Sequence, residues 1–81
     1  MKVYHVYEIL CYDLCYNPCF VVEETARIYK KHADAKKYFD SLVSRNIGYG
    51  HSLDYLDKRY ARFNSDSSNE FCVFIDEYEL M

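Results

Sequence analysis

One segment of this 81-residue chain carries a clear helical stripe, and most of the remainder is rich in strand-forming residues. The stripe consists of apolar residues spaced i, i+3, i+4, i+7 and i+8, which is the spacing of one helical face. Asp34 precedes the stripe as a candidate N-cap, and Asn46-Ile47-Gly48 follows it as a candidate stop. The spacing predicts a helix over 35–46 whose apolar face comprises Ala35, Tyr38, Phe39, Leu42 and Val43.

The residue pattern predicts β-strands in four segments. The first runs from Lys2 to Tyr12 and has apolar residues on both alternating faces, which favours a central position in a sheet. The second runs over 19–29, after turn chemistry at Asn17-Pro18, and a connection this short predicts an antiparallel pair. The last two cover 55–63 and 70–79, on either side of a polar turn over 64–69. Residues 52–63 also have partly helical spacing, so a second helix there is the alternative.

Together, the predicted helix and strands form a single α+β domain over 1–81 with the order β-β-α-β-β, or β-β-α-α-β if 52–63 is helical. The main prediction is a four-stranded antiparallel sheet with one helix packed on one face. The other face is then uncovered and carries a share of the 10 tyrosines and 5 phenylalanines. An exposed aromatic face usually contacts a partner, and a homodimer is expected.

The four cysteines are expected to remain free thiols. Met1-Lys2 leads straight into a strand pattern without a signal peptide, and no apolar run reaches the ~20 residues of a membrane span. A cytoplasmic location and no membrane contact follow from these features, and a reducing cytosol keeps thiols free. Cys11, Cys15 and Cys19 are spaced C-x3-C-x3-C without the paired knuckles of a zinc site, so no metal and no cofactor are expected. A Cys-dependent metal-binding regulator is kept as an alternative.

No catalytic signature stands out, and the chain is not expected to be an enzyme. The three histidines lack Ser or Asp partners in a recognisable order. The carboxylates of Asp76, Glu77 and Glu79 form a cluster, but a solvated strand end explains them. A phosphate-binding Gly-rich loop is missing from a chain with only 2 glycines.

Charge is more informative than motifs. The chain has 10 Lys+Arg against 13 Asp+Glu, a net charge of −3, which makes direct nucleic-acid binding unlikely. The distribution is polarised, since the window 27–37 has a net charge of +4 and the stretch 70–81 has a net charge of −4. We call the first region the basic corner; its cationic residues are Arg27, Lys30, Lys31, Lys36 and Lys37.

The compact, acidic, Tyr-rich chain resembles in style the small accessory proteins of phages and mobile elements, which bind and block host proteins. The main functional hypothesis is therefore a non-enzymatic protein-binding module that inhibits a host defence or nucleic-acid-processing protein. Its partner would present a basic surface to tyrosine anchors ringed by carboxylates. The alternative is a homo-oligomer that binds a small anionic ligand at the basic corner. The expected partner-binding residues are Tyr55, Tyr60, Asp76, Glu77, Tyr78 and Glu79.

Overall fold

The computed structural model describes residues 1–11, 19–64 and 70–80. They form an α+β arrangement, as predicted, but with six strands instead of four. The predicted turn at Asn17-Pro18, the thiol of Cys15 and the turn residues 65–69 lie outside the described residues. The elements are β1 (Lys2–Cys11), β2 (Phe20–Val21), β3 (Arg27–Tyr29), α1 (His32–Gly48), β4 (Ser52–Leu56), β5 (Tyr60–Asn64) and β6 (Glu70–Glu79).

The sheet is built on the two longest strands. β1 and β6 pair antiparallel along their whole length, from Lys2 opposite Glu79 to Cys11 opposite Glu70. β5 pairs with the other side of β6, and β4 pairs with β5. β2 and β3 both pair with β1, so the sheet order is β2 and β3, then β1, β6, β5 and β4, with every pair antiparallel. The central position predicted for the first strand is therefore confirmed.

Helix α1 covers one face of this sheet. The predicted apolar stripe faces the sheet, with Ala35, Phe39, Leu42 and Val43 buried and Tyr38 partly buried. Its partners come from alternate positions of three strands, because side chains of a strand alternate between faces. The largest fully buried side chains are Phe39, Phe63, Leu42, Val6 and Val73.

The predicted helix boundaries are wrong at both ends. The helix begins at His32 with Lys31 as N-cap and no capping side chain, so Asp34 lies inside the first turn. At the other end the helix continues to Gly48, and Asn46 is part of its last turns, where the Asn46 side chain donates to the Leu42 carbonyl oxygen and to a Glu8 carboxylate oxygen. Gly50, at φ 89°, then makes the turn that leads into β4.

A buried carboxylate fixes the helix against β1. Glu8 is only 6 % exposed and accepts hydrogen bonds from Arg45 Nη2 at 2.8 Å and Asn46 Nδ2 at 3.0 Å. Thr25 Oγ1 donates to the same carboxylate at 2.8 Å. The side chains of Glu8 and Asn46 are thereby satisfied, which makes their burial tolerable.

The predicted second strand, 19–29, is broken into β2 and β3 by a 3-10 turn at Glu23–Thr25. Val22 N–H donates to the Glu8 carbonyl oxygen, and Thr25 turns its hydroxyl toward the Glu8 side chain. A tertiary contact therefore interrupts an alternating pattern that reads locally as one strand.

The predicted third strand, 55–63, is also wrong, and so is the alternative helix over 52–63. These residues form a hairpin of β4 and β5 with a turn at 57–59. Asp57 explains the turn, because its Oδ1 accepts the N–H groups of Arg59 at 2.7 Å and Tyr60 at 2.9 Å. These bonds lower the pKa of the Asp57 carboxyl from its ordinary value.

Two of the cysteines are not free, which corrects the prediction. Cys11 at the end of β1 and Cys19 just before β2 form a disulfide. Cys72 in β6 is a buried free thiol, and burial together with the nearby Glu70 raises its pKa to about 11. Within the described ranges, no helix is long and apolar enough to cross a membrane.

Candidate functional site

The sheet face opposite α1 is the first candidate surface, and we call it the open face. It carries the odd-numbered residues of β1 and the even-numbered residues of β6, since Val6, Val73 and Ile75 point to the helix. In the described part of the chain, the helix α1 packs against β1, β3 and β6 on the other side of the sheet, and no second helix lies over this face. It nevertheless carries large side chains, including Tyr7, Phe74, Tyr60 and Tyr55.

The rings on the open face form one continuous row across four strands. Tyr7 of β1 stacks on Phe74 of β6 with ring centroids 5.3 Å apart, and Phe74 stacks on Tyr60 of β5 at 5.5 Å. Tyr60 stacks in turn on Tyr55 of β4 at 4.9 Å. Tyr7 lies directly opposite Phe74, and Phe74 lies directly opposite Tyr60, so these rings share one level of the sheet. We call these four residues the aromatic row.

The row presents ring edges to the outside. Its ring planes are within 15–25° of parallel, and its centroid spacing is close to the ~4.8 Å between strands. Such rings stand beside one another in an offset stack, and their faces cover each other. Nucleic-acid bases need free ring faces for stacking, so this geometry disfavours a base-binding platform.

Carboxylates hold tyrosine hydroxyls on both sides of the row. Tyr7 Oη donates to Asp76 Oδ2 at 2.6 Å, and Tyr78 Oη lies 3.4 Å from the same oxygen. Burial and the bond to Asp76 raise the pKa of Tyr7 well above its ordinary value. Tyr55 Oη donates to Asp57 Oδ2 at 2.9 Å, which also raises the pKa of Tyr55. The phenols of Tyr7 and Tyr55 are therefore oriented by these bonds and remain neutral donors.

The second candidate surface is a free backbone edge on β6. Among the described residues, β5 pairs with β6 as far as Phe74, and the last bond on this side runs from Ile75 N–H to the Arg59 carbonyl oxygen, at 2.8 Å. β6 continues to Glu79, with β1 as its neighbour on the other side. Antiparallel strands alternate the direction of their backbone groups, so the N–H and C=O of Glu77 and Glu79 point to the side that β5 has left. We call residues 76–79 the free edge.

A groove of about 440 Å³ runs along the free edge. Tyr4 and Ile75 form its apolar part, with His32 packed edge-on against Tyr4 at 5.1 Å between ring centroids. Lys58 and Arg59, from the turn between β4 and β5, close the end of the groove where β5 begins. Asp76, Glu77 and Tyr78 line the strand side. Within the described ranges, the groove therefore has an unpaired stretch of strand along one wall and two cations at one end.

The structure divides the six predicted partner-binding residues between these surfaces. Tyr55, Tyr60, Asp76 and Tyr78 share the open face, whereas Glu77 and Glu79 alternate to the helix side. Glu77 lies 3.7 Å from Lys2 Nζ, and Glu79 lies 3.3 Å from the N-terminal amine. The expected single ring of carboxylates around tyrosine anchors is thus not assembled.

The cations of the basic corner do not converge on one point. Arg27 donates to the backbone carbonyls of Glu24 and Ala26, and Lys36 pairs with Asp40 at 3.0 Å. Lys37 lines a shallow cavity of about 350 Å³ that also contains the Asp34 carboxylate. Lys30 and Lys31 are exposed.

Sequence reasoning missed several residues of these surfaces. Tyr7 and Phe74 were assigned to strands but not to a site, and the period-two alternation of β1 and β6 carries the signal that would place them together. Lys58 and Arg59 were missed because their position depends on the hairpin turn. An Asp followed by two polar residues is a recognisable turn signal.

Among the described residues, no group of three or more His, Cys, Asp or Glu side chains could hold a metal ion. Two of the three closely spaced cysteines are bonded to each other, so they do not offer thiolate ligands in this state. Comparison of the chain with protein-family models, with curated proteins and with solved structures finds no match.

Proposed function

We propose that this chain is a non-catalytic protein-binding module that adds an extended segment of a partner to the free edge of β6. The observation that carries the proposal is the groove along the end of β6 that β5 leaves unpaired, with Glu77 in its lining and the backbone groups of Glu77 and Glu79 on that side of the strand. Strand addition at an exposed edge is a common mode of peptide recognition, since main-chain bonds supply affinity and flanking pockets supply specificity.

The position of Lys58 and Arg59 favours a segment that ends in a carboxylate. A partner strand antiparallel to β6 runs in the same direction as β5 and lies in line with it. Its C-terminal end therefore approaches the turn at 57–59, where Lys58 and Arg59 border the groove. Asp57 fixes the backbone of this turn, so the two cations are held near the place that a terminal carboxylate would reach.

The side chains of the partner segment are expected to be basic. The strand wall of the groove contributes Asp76 and Glu77, and Glu79 extends the same edge. The ion pairs of Glu77 and Glu79 with Lys2 and the N-terminus are exposed, so they compete weakly with a partner. In the finer hypothesis, this chain is a cytoplasmic inhibitor that belongs to a phage or mobile element. Its target would then be a host protein with a basic tail.

The test measures binding of a fluorescently labelled short peptide that alternates Lys with Val and has a free C-terminal carboxylate. We expect saturable binding in the micromolar range. Amidation of the peptide C-terminus is expected to weaken binding about fivefold, because it removes the charge-assisted contact to Lys58 and Arg59. Proline at a position that pairs with β6 is expected to abolish binding, because proline has no N–H to donate.

Variants of the chain separate this function from the alternative. Charge reversal at Glu77 and Glu79 is expected to weaken binding about fivefold or more, whereas reversal at Lys30 and Lys31 in the basic corner serves as the matched control and leaves binding unchanged. Equal affinity for the acid and amide peptides would refute the carboxylate contact. Loss of binding only in the basic-corner variant, with a preference for small anions, would establish the alternative hypothesis instead.

A further inference from the structure

The carboxylates on the two sides of the free edge differ in their ion pairs. On the helix side, Glu77 lies 3.7 Å from Lys2 Nζ, and Glu79 lies 3.3 Å from the N-terminal amine. On the open-face side, Asp76 makes no ion pair with any described residue. A cationic side chain of a partner therefore meets an unpaired carboxylate at Asp76, and carboxylates that already have a cation at Glu77 and Glu79.

Aromatic side chains surround the Asp76 carboxylate. The hydroxyl oxygens of Tyr7 and Tyr78 lie 2.6 Å and 3.4 Å from its Oδ2. His5, directly opposite Asp76 on β1, has its ring centroid 4.5 Å from that of Tyr7 and 6.4 Å from that of Tyr78. Because both phenols lie at Oδ2, the Oδ1 atom remains available to a cationic donor. Aromatic faces attract cations as well, so this cluster suits a lysine or arginine side chain.

The helix side of the groove has a different chemistry, because its lining includes apolar side chains. Tyr4 and Ile75 line it, and the His32 ring packs edge-on against Tyr4. A partner side chain on this side gains chiefly by removing apolar surface from water. The two sides of the edge therefore favour different side chains.

Strand addition determines which partner residue lies on which side. Residues directly opposite each other in an antiparallel pair share a face. The Ile75 N–H is already bonded to the Arg59 carbonyl oxygen, so Glu77 is the next residue of β6 whose N–H points to a partner on that side. The last residue of the tail then lies opposite Glu77, with its carboxylate toward Lys58 and Arg59. The residue before it lies opposite Tyr78, on the open-face side.

We propose that the tail ends in a lysine or arginine followed by an apolar C-terminal residue, an inference that rests on the proposed function. The cationic side chain lies along the ring of Tyr78, which is 49 % exposed, and its head group reaches the Asp76 carboxylate. Asp76 is its diagonal neighbour on the same face, at about 7 Å, a distance that a long side chain spans. The apolar C-terminal side chain points to the helix side, toward Ile75.

The test compares two short labelled peptides that alternate Lys with Val, have the same composition and carry a free C-terminal carboxylate. One ends in Lys-Val and the other in Val-Lys, so they differ in the face that receives the lysines. The peptide that ends in Lys-Val is expected to bind about tenfold more tightly, because its lysine lies beside Asp76. In the variant Asp76→Asn this preference is expected to fall to about twofold or less, although the amide oxygen still accepts the Tyr7 hydroxyl.

Glu77→Gln is the matched control, since it removes the same charge from the adjacent residue on the helix side. It is expected to keep or increase the preference for the Lys-Val end. Equal affinity for the two peptides, a preference for the Val-Lys end, or a preference that survives Asp76→Asn would overturn this inference. Strand addition would then still stand, because the proline and amide peptides test it separately. Absence of binding by both peptides would overturn the proposed function and this inference together.

Discussion

Single residues decide which tyrosines and thiols of this chain are chemically available. The Tyr7 hydroxyl donates a hydrogen bond to Asp76, and Cys72 is a buried thiol on the open-face side of β6, next to Glu70. Both groups have raised pKa values because burial and a neighbouring carboxylate disfavour the anion. The sequence alone identifies these residues as strand positions, but their chemistry depends on neighbours that come from distant parts of the chain.

Cys72 is expected to be unreactive in the native state. Its pKa rises from 9.0 to about 11, which reduces its thiolate fraction near pH 8 about a hundredfold. Because the folded state favours the neutral thiol, its contribution to the free energy of unfolding is complete below pH 9. This contribution is lost as the pH rises toward 11. Alkylation with iodoacetamide, mapped by peptide mass spectrometry, should modify Cys72 only after denaturation. Rapid alkylation of the native chain near pH 8 would contradict the burial.

At the scale of elements, the sequence predicts the helix and the central strand pair best. The stripe from Ala35 to Val43 and the alternation of β1 and β6 are long periodic signals, and each depends on one dominant apolar face. The two errors in strand number have the same physical origin. A side chain, Thr25 in one case and Asp57 in the other, bonds to backbone or to a distant carboxylate and interrupts the strand.

The disulfide was missed for a different reason. The assumption of a reducing compartment led to free thiols, whereas the pairing of β2 with β1 brings Cys19 next to Cys11. Alkylation of free thiols during cell lysis shows directly whether Cys11 and Cys19 are bonded to each other in the cell. A closed pair in the isolated protein would argue against a cytoplasmic location, since cytosolic thiols are normally reduced.

The link between β1 and β2 is expected to contribute to stability. Closing a loop of sequence separation 8 corresponds to about 2.5 kcal/mol in the chain-entropy model. Denaturant unfolding of oxidised wild type is therefore expected to give a free energy of unfolding about 2.5 kcal/mol above that of the double variant Cys11→Ser, Cys19→Ser. Reduced wild type is the matched control and should resemble the variant. Equal stability of the oxidised wild type and the variant would show that the bond does not contribute.

At the scale of the whole molecule, charge and aromatic content led to the hypothesis of a binding protein, but the arrangement of the candidate site depends on where strands end. The net charge of −4 in residues 70–81 suggested one acidic surface, yet alternation along β6 sends Asp76 and Glu77 to opposite faces. The free edge exists because β5 is half as long as β6, with 5 residues against 10. Composition carries no information about this difference in length, so the groove could not be predicted.

The molecule thus has two separate surfaces with different requirements. The aromatic row lies on the open face, whereas the edge at 76–79 with Lys58 and Arg59 fits the extended tail proposed above.

Amide hydrogen exchange along β6, measured residue by residue by NMR, tests the central claim most directly. In the free chain, the N–H groups of Asp76 and Tyr78 bond to β1 and should exchange slowly, whereas those of Glu77 and Glu79 point to the side that β5 has left and should exchange fast. Saturation with the Lys-Val peptide should protect Glu77 and Glu79 and leave Asp76 and Tyr78 as internal controls. Uniform protection across 76–79 in the free chain, or fast exchange at Glu77 and Glu79 in the complex, would contradict strand addition at this edge.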